Sequence, residues 1–350
     1  MQRDRILTWA AVGVFVAFLW YADSRFSEYS VRILNTVAIY VILAVSYNLI
    51  NGITGQFSLG PNAFLAVGAY ASAILTLSPE EKIRTFILQP MAWPLSEISV
   101  SFPVSLLAAG LVAAFLAMLM ALPVFRVRGD YLAVVTLGFG EVVQLFANNL
   151  IAITNVPLGL KGLTPYTILW WSWGLCLLTV LCTVRLVNSS YGRSMKAVRE
   201  DEMAAEAMGI NAFWTKTLAF VFSAFFQGLA GGLLAHLVTT ISPSLFSFLL
   251  TFNLLIIIVI GGLGSTTGAI IAAVIFGWGG ELLRVVEEPM TIFGYYVEGI
   301  PGMRMVIFSI MLILVMLFAR SGIMGRNEFS WQGLFNRLRK IAPQNRERND

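Results

Sequence analysis

The sequence predicts an all-α polytopic membrane protein of about eight to ten transmembrane helices with broken or re-entrant segments, and three observations carry that prediction. Of 350 residues, 58% are hydrophobic and 12% charged, with a mean hydropathy of +0.79, about half the charge of an ordinary soluble domain. Apolar windows of about 17 to 25 residues recur along the chain. No polar segment approaches the size of an independent core. The organisation that follows is a transmembrane domain over 1–325 and a basic amphipathic tail over 326–350.

Taken in order, the apolar segments fall near 6–22, 29–50, 57–77, 101–125, 131–153, 166–187, 217–239, 245–262, 266–284 and 303–319. The first follows Arg3 and Arg5 as a signal peptide would, but Trp20-Tyr21 makes a poor cleavage site and the run is long, so it reads as a span. The pairs 29–50/57–77 and 245–262/266–284 have short, glycine-rich connections, where a broken or re-entrant course competes with two clean crossings. The basic residues give the orientation. With the N-terminus inside, sixteen of the 23 lysines and arginines fall on the inner side and seven outside, which puts both termini and the loop at 191–209 in the cytoplasm. The localisation that follows is a multi-pass protein of the cell inner membrane. Glu80, Glu81, Glu97, Glu287, Glu288 and Glu298 then lie on outer loops, either to meet a partner or simply to face water. The net charge of +4 is one-sided and argues for membrane orientation rather than nucleic acid.

Between the second and third segments runs Asn51-Gly52-Ile53-Thr54-Gly55-Gln56-Phe57-Ser58-Leu59-Gly60-Pro61-Asn62. Amides and flexible backbone at membrane depth are tolerated where they are buried in protein or line a cavity. Pro61 suits the first turn of the following helix and Ser58 could cap it. A similar pattern returns at Gly261-Gly262-Leu263-Gly264-Ser265-Thr266-Thr267-Gly268, which suggests an internal repeat. Interrupted segments in corresponding positions of two halves point to a transport path, although tight helix packing explains any single glycine equally well. Asn48, Gln56, Ser58 and Asn62 are therefore candidates for the path, with Asn253, and with Asn35 and Gln227 at lower weight. In the segment 131–153, Glu141, Gln144 and Asn148 share one helix stripe, expected to face the bundle interior because an ionisable group at that depth is costly. The stripe lines the path or bonds a neighbouring helix.

Several chemistries are excluded. GGLGSTTG lacks the lysine of a phosphate-binding loop, and no GxxxxGK[ST] occurs. His236 is the only histidine, no metal-ligand cluster or nucleophile–base spacing is present, and a packed or interfacial role suits it best. Cys176 and Cys182 lie six residues apart on one helix, about 120° apart around its axis, which prevents a disulfide. No metal or cofactor is expected on this chain.

The strongly charged run at 191–209, YGRSMKAVREDEMAAEAMG, cannot be one straight helix, because Arg193, Lys196 and Arg199 would sit toward its N-terminus and Glu202 and Glu206 toward its C-terminus, against the macrodipole. A break at Glu200-Asp201 resolves the conflict, with Asp201 capping a second helix and Gly209 ending it. Ala204, Ala205 and Met208 then form a small apolar face. That makeup fits a docking surface, and a solvated loop is the alternative. In the tail, Trp331, Leu334, Phe335, Leu338 and Ile341 share a helical face beside Arg337, Arg339 and Lys340, the pattern of an interfacial helix on membrane lipid.

Four stretches in order, SYNLINGITGQFSLGPNAFLAVGAY at 46–70, RVRGDYLAVVTLGFGEV at 126–142, YGRSMKAVREDEMAAEAMGIN with KTLAFVFSAFFQGLAGGLLA at 191–235, and GGLGSTTGAIIAAVIFG at 261–277, closely resemble LivM-type permeases of branched-chain amino-acid ABC importers. The resemblance extends from about 35 to 325. It implies a type II importer permease fold, a LivH-type second permease, two cytoplasmic ATPase subunits that use the ATP, and a periplasmic amino-acid-binding protein. It further implies that 191–209 is the coupling loop, with Arg193, Met195, Arg199, Asp201, Glu202, Ala205, Glu206, Met208 and Gly209 as the residues that seat in an ATPase subunit. The function implied is import of branched-chain or other hydrophobic amino acids, with no chemistry on this chain itself. A urea or short-amide importer permease is similar in sequence, and an ion-coupled secondary transporter using Glu141 would share the hydropathy. The long 78–100 loop and the basic tail depart from the family's compact form.

Overall fold

The computed structural model describes residues 2–86, 89–126, 131–156, 159–287, 290–292, 295–297, 299–300, 302–318, 321–325 and 328. The expected interfacial helix of the tail lies outside the described residues. Each of the ten predicted apolar segments is a helix. The order is α1 (Gln2–Arg25), α2 (Glu28–Asn48), α3 (Pro61–Thr76), α4 (Pro79–Thr85), α5 (Phe102–Val124), α6 (Tyr131–Asn149), α7 (Ile151–Thr154) and α8 (Leu169–Val187). There follow α9 (Ser190–Glu200), α10 (Glu202–Ala207), α11 (Ala212–Val238), α12 (Phe248–Gly261), α13 (Thr266–Leu282), α14 (Arg284–Glu287) and α15 (Met303–Phe318). Short strands β1 (Leu160–Lys161) and β2 (Thr240–Ile241) pair antiparallel, as do β3 (Met290–Ile292) and β4 (Tyr295–Val297).

Among the described residues six segments are individually long and apolar enough to cross a membrane, or seven if α3 and α4, bent by 118°, count as one span. α3, α13 and α15 have 16, 17 and 16 residues and fall short of the roughly 20 that a perpendicular crossing needs. The two doubtful pairs are hairpins of two helices, and the first is irregular. α2 does not simply end at Asn48 but widens into a π-helical turn, Leu49–Ile53, before an extended loop leads to Pro61 at the first turn of α3. A wide turn of this kind is a local departure from the helical ladder that is frequent at functional sites.

The core is centred on α11, which packs against α3, α5 and α2, while α2 also packs on α13 and α8. Lipid offers no hydrophobic drive between helices, so close van der Waals approach has to hold them. Small residues permit it. A Cβ on Gly68 would lie 2.2 Å from the Gly228 carbonyl oxygen, and one on Gly231 would lie 2.1 Å from that of Leu65. Polar side chains pin the same layer: Ser223 Oγ donates to the Ser46 carbonyl, Asn35 donates to the Thr167 carbonyl, and Ser172 Oγ donates to Asn35 Oδ1 at 2.6 Å. α2 is the most enclosed span, 83% buried, whereas α6 is 28% buried and lies at the outside.

At one end of the bundle, residues 78–86 and 95–98 are tied together by hydrogen bonds. Ser78 and Glu81 form a reciprocal cap on α4, and the hydrogen bonds from Ser78 hold the Glu81 carboxyl below its ordinary value. Lys82 is buried, and its amine donates to the Leu95 and Ile98 carbonyls, folding the loop back on α4. Burial lowers the Lys82 pKa. Asn155 reaches the Thr85 carbonyl at the same end. His236 is packed, as its sequence position suggests. Its Nδ1 donates to the Thr164 carbonyl at 2.9 Å, Nε2 faces Thr76 Oγ1 at 3.2 Å, and Phe102 meets the ring edge-on.

Replacing Gly68 with valine is expected to force α3 from α11 and to destabilise the protein by about 3 kcal/mol, read as a lowered midpoint of thermal unfolding in detergent. Lys82→Met removes two charge-assisted bonds and is expected to cost about 2 kcal/mol, seen as faster proteolytic cleavage within 87–100 while the bundle stays intact.

Candidate functional site

The charged run folds as the opposed charges require. α9 stops at Glu200, and Asp201 is extended (φ −157°, ψ 115°) and accepts from the Ala204 amide at 2.9 Å, capping α10. Gly209 adopts φ +84°, the left-handed conformation that ends helices without a Cβ penalty. The result is a two-helix hairpin between α8 and α11.

The hairpin has an anchored face and a free face, and the division differs from the expected one. Met195, Val198 and Ala205 are buried. Met195 packs with Leu49, Ile53, Val187 and Ala219, and Ala205 with Val198 and Ala212. Ala205 therefore belongs to the anchor and not to an outward apolar face with Ala204 and Met208, because α10 is too short to keep one side clear of α9 and α11. Met195 is likewise an inward contact. The exposed large apolar groups of α9, α10 and the residue after it include Met208, 82% exposed, Met203, 71% exposed, and Tyr191; Met203 lies off the stripe that the helical spacing picks out. Arg193, Lys196, Glu206 and Gly209 are also exposed, and Arg193 donates to Ser190 Oγ. Glu202 pairs with the buried Lys216 amine at 2.5 Å, binding α10 to α11.

Arg199 leaves the free face. Its guanidinium Nη1 donates to the Gly52 carbonyl at 3.1 Å, and Nη2 pairs with Glu200 at 2.6 Å. Asn48 ties the same π-helical turn to the second glycine run: its amide donates to the Ser265 carbonyl at 3.0 Å and its Oδ1 accepts from the Gly264 amide at 3.0 Å. Both interrupted connections thus meet at this end of the bundle, beside α9. Residues 321–325 cover the second turn, through Ile323 N to the Ile260 carbonyl and Met324 N to that of Gly261. Glu328 accepts from the first amides of α13, Thr266 at 2.7 Å and Thr267 at 3.0 Å.

The candidates for the path separate into two groups. Asn48, Ser58 and Asn62 are buried. Asn48 is committed to the second turn as described, so it joins the two hairpins rather than facing a lumen. Ser58 is held by Asn51, whose side chain accepts from the Ser58 amide and donates to its carbonyl, with the Tyr47 hydroxyl on the same carbonyl at 2.7 Å. Asn62 donates to the Phe246 carbonyl and lies against Gly140, with its Oδ1 unbonded. Gln56, Gln144 and Asn253 are half-buried. Glu141 and Asn148 are exposed, so the expected inward stripe of α6 points out of this chain. The reason is that Leu132, Ala133, Thr136, Gly140 and Ala147 take the inward face. Thr136, an ordinary helix residue by its sequence context, accepts from the Leu59 amide at 2.8 Å and so fixes the loop before α3. Cys176 and Cys182 are free, and among the described residues no group of three His, Cys, Asp or Glu side chains could hold a metal ion.

A bundle of apolar helices with interrupted connections and a charged surface hairpin defines a multi-pass helical membrane protein of the permease kind. Comparison with known sequences gives the family: residues 29–316 match the family described as branched-chain amino acid transport system, permease component, and the chain belongs to it. It is 32% identical over 296 residues to the high-affinity branched-chain amino acid transport system permease protein LivM of Salmonella typhimurium and 31% identical to LivM of Escherichia coli K12, in each case over 75% of this chain and 65% of the relative. The chain thus spans just under two thirds of the length of these relatives. The LivH permease protein of Salmonella typhimurium is 30% identical over 165 residues, 47% of this chain and 49% of the relative. No solved structure matches.

Glu202→Gln strands the Lys216 ammonium and is expected to cost about 2 kcal/mol, less than a fully buried pair because the carboxylate keeps some water. Faster amide exchange confined to α9 and α10 would be the readout, and adding Lys216→Met should restore part of the protection.

Proposed function

We propose that this chain is the transmembrane permease subunit of an ATP-binding-cassette importer of the inner membrane, moving branched-chain or other hydrophobic amino acids from periplasm to cytoplasm. The observation that carries the reading is the anchored hairpin, α9 and α10, on a bundle of this permease family. Its buried side is built into the bundle and its outer side presents two methionines among charges, the composition of an adaptable docking contact. Its occupant in this reading is a cytoplasmic ATPase subunit, one of a pair that bind the ATP, while this chain holds no cofactor. The excess of basic residues on the hairpin side agrees with a cytoplasmic location for both termini.

The outward polar face of α6 supports a second subunit. A carboxylate facing hydrocarbon is costly, so Glu141 and Asn148 call for a polar surface or water beside them. A LivH-type permease set against α6, with the path between the two chains and Gln144, Gln56 and Asn253 near it, meets that need. Similarity of this one chain to both LivM and LivH proteins agrees with two permeases of common fold. A periplasmic binding protein would deliver substrate at the opposite end, where α4 lies. ATP-driven closure of the ATPase pair would then move the hairpins and rock the permeases between outward- and inward-open states.

The test is purification from native membranes followed by uptake in proteoliposomes. Co-purification of a second permease and two ATPase subunits, with leucine uptake that needs ATP and survives a protonophore, is expected. Uptake by the chain alone without ATP would overturn the reading. The double variant Met203→Glu and Met208→Glu is expected to reach the membrane in normal amount yet lose ATPase subunits and lower uptake at least about 100-fold; unchanged association would remove the hairpin from the interface.

A further inference from the structure

Arg193 bonds Ser190 and Asp201 the Ala204 amide within the hairpin, and Glu202 reaches Lys216 on the adjoining α11, whereas Arg199 reaches a connection 147 residues away. Its own side chain is only 19% exposed and runs inward across two turns. In the first, Nη1 donates to the Gly52 carbonyl at 3.1 Å. A Cβ on Gly55, at φ +72°, would lie 2.4 Å from Arg199 Cγ, so the stem lies flat on that glycine. In the second, a Cβ on Gly264, at φ +92°, would lie 3.1 Å from Nη1. The guanidinium therefore sits where two glycines leave room for it, against the π-helical turn after α2 and the turn between α12 and α13. Glu200 holds its remaining edge through Nη2 at 2.6 Å and Nε at 3.2 Å.

We propose that Arg199 is the positioning residue through which the hairpin moves both interrupted connections together. The proposal rests on the importer reading and adds to it the route of transmission. The Asn48 bridge already makes the two turns one unit, and Arg199 joins that unit to α9. A planar, permanently charged group with donors in a fixed fork suits the task, since it holds Glu200 and the Gly52 carbonyl at once without changing its protonation. A displacement of α9 must then carry the turns along or break the bond to Gly52. Met195 gives α9 a second hold on the π-helical turn through Leu49 and Ile53, but an apolar contact slides where a directional bond does not.

The experiment uses the complete transporter, purified with its ATPase subunits and reconstituted with its binding protein, and reads amino acid taken up per ATP hydrolysed. Arg199→Met keeps the stem on Gly55 and removes the fork. It is expected to retain the ATPase subunits but lower uptake per ATP about tenfold, with Arg199→Lys recovering part of the loss. Glu200→Gln, on an exposed side chain, is expected to lower the ratio about threefold and provides the test if Arg199→Met does not accumulate. Wild-type uptake per ATP in Arg199→Met, or in both Arg199→Lys and Glu200→Gln, overturns the proposal. Loss of ATPase subunits from Arg199→Met also overturns it, because Arg199 would then belong to the docking contact. A wild-type chain that carries no ATPase subunits and transports without ATP would instead remove the importer reading, and this proposal with it.

Discussion

A helix that breaks inside the protein interior leaves buried backbone groups that need partners, and the rest of this structure depends on how that is met after α2, where Leu49–Ile53 are buried. Thr54 Oγ1 donates to the Leu49 carbonyl, Asn51 bonds both backbone groups of Ser58, and Thr136 takes the Leu59 amide. Asn48 reaches instead to Gly264 and Ser265. Every one of these groups serves backbone, so these polar side chains are consumed in satisfying an irregular buried connection. Because Asn48 supplies both a donor and an acceptor to the second turn, two connections more than 200 residues apart in sequence are held as one piece.

The hairpin is placed by the same economy of contacts. Its buried methionine and alanine join it to the bundle, its Glu202–Lys216 pair joins it to α11, and Arg199 joins it to the turn unit. Its outer side is left with flexible methionines and separated charges. The segment is held to the bundle by several contacts and leaves its outer side open, an arrangement that suits the importer reading proposed above. The small-residue seam between α3 and α11 complements this arrangement, since helices locked at van der Waals distance move as bodies rather than deform.

Much of this was legible in the residue order. Hydropathy located ten of the fifteen helices among the described residues, and the reversed order of charges in 191–209 located the break at Glu200-Asp201, because a helix dipole acts within one turn and needs no tertiary knowledge. The glycine runs marked both connections. What each side chain in them does was not legible. Asn48 looked like a lining residue and is a bridge; Ala205 looked like part of an outer face and is packed against Val198 and Ala212. Periodicity says which residues share a face, but it cannot say which face a neighbour will cover. For Glu141 periodicity could not say what would enclose it: the inward side of α6 belongs to its smaller residues, and the carboxylate faces out of this chain.

The sequence by itself determined the class, the helices, the hairpin break and the resemblance to a permease family, since these follow from local composition, charge order and motif. Only the tertiary structure decided that Arg199 spans to Gly52, that Asn48 links residues 216 and 217 positions away, and that Met203 is left exposed as Met208 is. Those facts depend on how close α9, α2 and α13 approach. That distance is set by steric fit between side chains from distant parts of the chain, which no local pattern encodes.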